Sequence, residues 1–218
     1  MTNRFLNLKQ TFEQSANPEK AQKMSAYMRH QFTFYGIPTP ERRKIYHELI
    51  ATDKKAKQID WNLLDLAWAE SHRELHYFVC DYLKGLQKVL TYEDVSKLIA
   101  YASSKEWWDT IDHFDRIFGN IADARIPKLM IDFSLADNFW LRRIAIDHQL
   151  GKKDKTDTTL LKQIIVNNLG SNEFFINKAI GWALRDYSKT NPNWVRQFIK
   201  DYQNQLAPLS IREGSKHI

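Results

Sequence analysis

Helix-start signals recur along this chain at a nearly constant interval, and that period narrows the available folds more than any other feature. Thr39-Pro40-Glu41 places a capping hydroxyl before a first-turn proline. Ser71-His72-Arg73-Glu74 has the form of a capping box, in which each end's side chain satisfies an orphan backbone N–H of the other. Ser104, Asp137 and Asn172 are the next caps, and the successive intervals are 32, 33, 33 and 35 residues. Each cap precedes an aromatic-rich apolar helix, with room for one more helix before the next. Asp60 before Trp61, and Thr91-Tyr92-Glu93-Asp94, start two of these intervening helices. Two helices per unit at this period predict an all-α fold, an α-solenoid.

Strand signals are nearly absent, and the six prolines fall at element boundaries. Asn17-Pro18 opens a helix to about Arg29, and Ser210-Ile211-Arg212-Glu213 reads as a further capping box. No stretch reads as a linker, so residues 1–218 are expected to form a single domain. The net charge of +6 favours an anionic partner such as nucleic acid. A lone cysteine, Cys80, excludes an internal disulfide and a cysteine-based metal site, and reads as a small hydrophobe. Met1 to Gln10 has no apolar signal core and no stretch approaches transmembrane length, which points to a soluble, cytoplasmic protein without a membrane role.

In a solenoid the second helices of successive repeats line one concave face, so residues at equal distance from the caps form stripes. Eight positions after each cap stand Val79, Asp112, Ala145 and Ile180. Six after stand Tyr77, Thr110, Arg143 and Lys178, and ten after stand Asp81, Phe114, Asp147 and Trp182. Asp112 therefore interrupts an apolar column, which costs stability unless the carboxylate is paired or faces a cleft. Trp108 lies one turn earlier on the same helix face, and Arg143 and Trp182 fall at matching depths on the next two repeats. Indole faces attract a cation, a carboxylate stabilises an oxocarbenium-like centre, and a guanidinium holds a phosphate. The four together suit a cationic substrate attached to a phosphodiester, as an N-alkylated purine in DNA is. The competing account makes the Trp residues core filler and Asp112 the buried partner of Arg143. Lys105, Arg142, Lys178, Arg185 and Lys189 add positive charge near the starts and outer faces of these helices, giving the expected concave face a basic character suited to a phosphate backbone.

Three long motifs carry a resemblance: Trp107-Trp108-Asp109-Thr110-Ile111-Asp112, Asp137-Asn138-Phe139-Trp140-Leu141-Arg142-Arg143, and Phe174 through Arg185. With Asn17-Pro18-Glu19-Lys20-Ala21, Ala26-Tyr27-Met28, Gly36-Ile37-Pro38-Thr39-Pro40-Glu41-Arg42-Arg43 and Leu206-Ala207-Pro208-Leu209-Ser210, they resemble the AlkD family of DNA alkylation repair glycosylases over essentially the whole chain. The resemblance implies a curved stack of HEAT-like helix pairs and hydrolysis of the N-glycosidic bond of cationic N3- and N7-alkylated purines, such as 3-methyladenine and 7-methylguanine, in duplex DNA. By the same resemblance Asp112 matches the catalytic aspartate, Trp108 and Trp182 the tryptophans that contact the damaged nucleotide, and Arg143 the backbone contact near the lesion. Arg185, Tyr27, Arg43 and Lys178 fall on the DNA-binding surface. Pro38 departs from the polar residue expected to approach the groove from its turn.

No cofactor motif is present. His72 and His76 are four apart on a helix with Glu74 between them, an order that differs from the zinc-protease pattern, and they are expected to pack, so no metal is expected. An open DNA groove argues for a monomer. The rival class is a non-catalytic HEAT-repeat module that binds DNA or protein. Asp112 separates the two, because a carboxylate facing phosphates hinders simple binding while the glycosylase requires it.

Overall fold

The computed structural model describes residues 3–218, and its helices cluster into two compact units, one running to Leu90 and the other from Thr91 to Ile218. Among the described residues the regular structure is helical, with one isolated β-bridge between Thr33 and His72. The fold is all-α and built of HEAT-like helix pairs. No helix is long and apolar enough to cross a membrane.

The first unit holds α1 (Asn3–Gln14), α2 (Pro18–Tyr27), α3 (Thr39–Ala56), α4 (Trp61–Ala69) and α5 (Arg73–Gly85). Phe5, Leu8 and Phe12 of α1 are buried, as are Leu63, Leu64 and Ala67 of α4 and Phe78 and Val79 of α5. Asn17 caps α2 as its Asn-Pro signal predicts, accepting from the N–H of Lys20 at 3.0 Å. The long connection before α3 folds back onto this cap. Gly36 there has φ +87°, and an added Cβ would lie 2.1 Å from the Asn17 carbonyl oxygen, so a side chain is excluded on both counts. The capping box expected at Ser71 does not form. α5 starts at Arg73, and the fully buried Glu74 instead accepts from the N–H groups of Tyr35, Gly36 and Ile37 at 3.0, 2.8 and 3.2 Å. His72 stacks on Tyr35 at 3.8 Å and His76 packs against Trp68, the ordinary packing role expected of both.

The second unit continues with α6 (Val95–Ala102), α7 (Trp108–Gly119), α8 (Ile126–Ser134), α9 (Phe139–Asp147), α10 (Thr158–Val166), α11 (Phe174–Ser188), α12 (Pro192–Asp201) and α13 (Pro208–Gly214). Among these helices α6 packs on α7 and α8 on α9, and α7, α9, α11 and α13 pack in series: α7 on α9, α9 on α11, α11 on α13. The α7–α9 approach is close enough that a Cβ on Gly119 would stand 2.0 Å from the His148 carbonyl oxygen. Several expected caps move by a residue or more. Asn138 and Glu173, not Asp137 and Asn172, accept from the first turns of α9 and α11. Ser210 lies inside α13, where its hydroxyl donates to the Asn177 carbonyl at 2.8 Å. The Ser104 hydroxyl donates back to the Ala100 carbonyl at 2.9 Å, closing α6 instead of opening α7. Lys105 then adopts a left-handed φ of 52°, and α7 starts only at Trp108.

Candidate active site on α7, α9 and α11

That delayed start changes the register of the sequence columns. Val79, Ala145 and Ile180 are each the seventh residue of their helix; the seventh residue of α7 is Phe114. All four are essentially fully buried, so the apolar column is unbroken. Asp112 belongs two positions earlier, in the fifth-residue column with Tyr77, Arg143 and Lys178. The apolar-column assignment of Asp112 is therefore two positions out of register. The ninth-residue column becomes Asp81, Arg116, Asp147 and Trp182.

The fifth and ninth residues of α7, α9 and α11 build one polar site within the second unit. Asp112 and Arg143 occupy equivalent positions on adjacent helices and meet side by side. Arg143 donates from Nε to Asp112 Oδ1 at 2.8 Å and from Nη2 to Oδ2 at 3.0 Å, and its Nη1 donates to the Phe175 carbonyl at 2.8 Å. The bidentate fork is the strongest form of such a pair. Its two members differ in exposure. The Arg143 side chain is 2% exposed and that of Asp112 is 23% exposed, so the carboxylate reaches the surface while the cation stays inside. Burial opposes the charge on Arg143, yet Asp147, Asp112 and Asp115 around it hold its pKa above the ordinary value. The guanidinium also lies 5.1 Å from the ring centre of Trp182, and the Lys178 ammonium lies 5.8 Å from the same ring.

Trp182 is half-buried on α11, and Trp108 is half-buried one turn before Asp112 on α7. Trp107 of the tryptophan pair turns elsewhere. It packs on Trp140 at 5.9 Å and Phe175 at 5.5 Å, in an aromatic cluster that anchors the start of α11 and so the Phe175 carbonyl that receives Arg143. Beside Trp182 a cleft of about 270 Å³ is lined by Arg116, Leu150, Gly151, Arg185, Asp186 and Lys189. Three cations on one small cleft suit an anionic group. Arg116 went unnoticed in the sequence because the shifted register put Phe114 in its column.

Beneath the exposed pair lies a second layer. Asp112, Asp115 and Asp147 each place a carboxylate oxygen within 4.8 Å of the others. Asp115 receives Arg116 at 2.6 Å on one oxygen. Its other oxygen, and both oxygens of Asp147, are buried without a hydrogen-bond partner.

Of the other residues expected to meet DNA, Arg185 and Lys178 both turn to Glu213 of α13, at 2.9 and 3.0 Å, where Lys216 also pairs at 2.9 Å. Hydrogen bonds from Lys216 and Lys178 hold the Glu213 carboxyl down at about 2. In the first unit, Arg43 pairs with Asp81 through Nε at 3.2 Å and Nη2 at 3.0 Å, and Tyr27 is 72% exposed at the end of α2.

The profile of a family described as "DNA alkylation repair enzyme" matches residues 8–218. The chain belongs to that family. It is similar to a solved structure described as a predicted DNA alkylation repair enzyme from Enterococcus faecalis, with 40% identity and a TM-score of 0.86, over 93% of this chain and 96% of that one. No functionally curated protein matches it. Membership makes this an enzyme of DNA alkylation repair with DNA as its partner, and the AlkD-like resemblance of its motifs agrees with that.

Proposed function

We propose that the protein is a DNA glycosylase that hydrolyses the N-glycosidic bond of cationic N3- and N7-alkylated purines in duplex DNA. The observation that carries this reading is the asymmetric Asp112–Arg143 pair, which holds a partly exposed carboxylate in fixed orientation on the same face as Trp108, with the Arg143 guanidinium against Trp182. An alkylated purine already carries its positive charge. When the C–N bond breaks, the electron pair goes to the base, which departs neutral, and the charge passes to the sugar. The enzyme need not protonate the leaving group; it has to stabilise charge at C1′ and admit water there. A carboxylate held by two hydrogen bonds supplies that field without reorganising. The indole faces accept the cationic base before cleavage. In this reading Arg143, whose guanidinium is spent on Asp112 and the Phe175 carbonyl, orients Asp112 and touches a phosphate only by leaving it. The cleft of Arg116, Arg185 and Lys189 takes the backbone phosphate beside the lesion.

The test is release of free base from duplex DNA carrying 7-methylguanine and 3-methyladenine, with wild type beside Asp112→Asn. Release by wild type alone is expected. Equal release by the variant sinks the role of Asp112. No release by wild type, with DNA binding retained, moves the chain to the non-catalytic class.

A further inference from the structure

We propose that Asp115 and Asp147 share a buried proton directly behind the Asp112–Arg143 pair, and that Asp147 is a positioning residue whose proton keeps Arg143 committed to Asp112. The inference rests on the reading of Asp112 as the reactive carboxylate.

Three carboxylates meet in this layer, and the cations in contact with them are Arg143 and Arg116. From α7, Asp112, Asp115 and Arg116 face Asp147; from α11, Asp186; from its own helix, Arg143. Asp147 is 0% exposed, and Arg143 Nη2 stands 3.9 Å from it, beyond hydrogen-bond reach. With neither oxygen receiving a hydrogen bond, and the nearest cation, Arg143, already bonded to Asp112, an anion there would be a buried charge only partly compensated, and such groups neutralise. Burial, reinforced by Asp112 and opposed by Arg143, pushes Asp147 up to about 7. Burial, with Asp147 and Asp112 adding to it against Arg116, likewise raises Asp115. A divalent cation among the same oxygens would press against two guanidiniums already bonded to Asp112 and Asp115. A proton displaces neither.

The proton matters because of where Arg143 points. With Asp147 neutral, the guanidinium has one anionic partner, and that partner reaches the surface. When the proton leaves, Asp147 becomes a second anion next to Nη2 and draws the guanidinium inward from Asp112. Base release in the bound complex is therefore expected to fall as pH rises through the titration of the pair. Phosphates of bound DNA favour the protonated form, so the inflection in kcat lies at higher pH than that in kcat/KM.

The experiment follows wild type and Asp147→Asn across pH with two readouts. One is 7-methylguanine release at saturating and limiting DNA, corrected for spontaneous loss. The other is physical and independent of turnover: the infrared C=O band of a protonated carboxyl, and the Arg143 Nε–H resonance, identified by its loss in Arg143→Lys. Wild type is expected to show an alkaline limb in release, with the band and the resonance titrating at a common midpoint in the free protein. Asp147→Asn is expected to lose the limb, its release becoming independent of pH over the range in which wild type declines. Asp115→Asn should move the midpoint down if the proton is shared. A limb that persists in Asp147→Asn, or a resonance that ignores pH, overturns the proposal. So does a carboxyl band missing at neutral pH together with a melting temperature that chelator lowers, which would assign the layer to a metal ion. If wild type releases no base at all, the glycosylase reading fails, and the band and the resonance still decide whether the proton holds the pair.

Discussion

The site predicts unequal stability effects for the two members of the Asp112–Arg143 ion pair. In Arg143→Met the guanidinium that spans Asp112, Asp147 and the Phe175 carbonyl is replaced by an apolar chain of similar length. The half-buried Asp112 carboxylate then loses its cation, while the protonated Asp147 loses only a neighbour. Removing one partner of a buried pair costs about 3–5 kcal/mol. For a chain of this size each kcal/mol moves Tm by about 2–4 °C, so a drop of roughly 6–20 °C follows. Asp112→Asn is different. It weakens hydrogen bonds to a charged group worth about 1.5–3 kcal/mol. It also removes one of three carboxylates whose oxygens lie within 4.8 Å of one another. At an effective dielectric of about 20, an ionised pair at that separation repels by about 3–4 kcal/mol, and the proton shared by Asp115 and Asp147 leaves Asp112 facing one such charge. Loss and relief nearly cancel, and a net change within about 1 kcal/mol is expected, with excision falling by orders of magnitude. Thermal melts at neutral pH beside the base-release assay measure both. An Asp112→Asn variant destabilised as severely as Arg143→Met would refute the reasoning. It would make Asp112 a structural counter-ion, which is the competing account that the sequence left open.

Two further outcomes are expected. Glu213→Gln removes the acid that holds Lys178, Arg185 and Lys216, so DNA binding should tighten at low salt. The log–log salt slope should then steepen by about 0.9 for each cation transferred to a phosphate; an unchanged slope would show that these cations do not reach the backbone. Gly36→Ala should destabilise the protein by at least about 1–2 kcal/mol from its left-handed φ alone, and by more through the contact with the Asn17 carbonyl. Denaturant titration checks this, and a neutral result would mean that the connection before α3 is free to move off α2.

Much of the candidate site is legible in the sequence. Trp108, Asp112, Arg143 and Trp182 lie within motifs long enough to resemble a family, and the repeat spacing placed Asp112, Arg143 and Trp182 at comparable depths. The reason offered for Asp112 was less secure. A cap-based ruler assumes the same distance from cap to helix in every repeat. Ser104 breaks that assumption, because its hydroxyl finds a carbonyl of the preceding helix and Lys105 turns left-handed before α7 begins. Ser71 and Ser210 mislead in the same way. Ser, Thr and acidic side chains bond to whichever orphan group comes within reach, and Glu74 finds three of them in a connection thirty-odd residues away in sequence.

The sequence by itself determined the helix-pair period, the absence of strand patterning and the identity of the surface chemistry, since all of these follow from local propensity and spacing. Only the tertiary structure decided how charge is distributed among those residues. That Arg143 lies inside while Asp112 reaches out, and that Lys178 and Arg185 are held by Glu213, depends on which helix packs on which. The same holds for Asp147 and one oxygen of Asp115, left without hydrogen-bond donors behind the pair. Interactions between groups about thirty positions apart carry no local pattern. They arise when packed helices bring polar groups into a space that water cannot enter, and there each charge must find a partner or take up a proton.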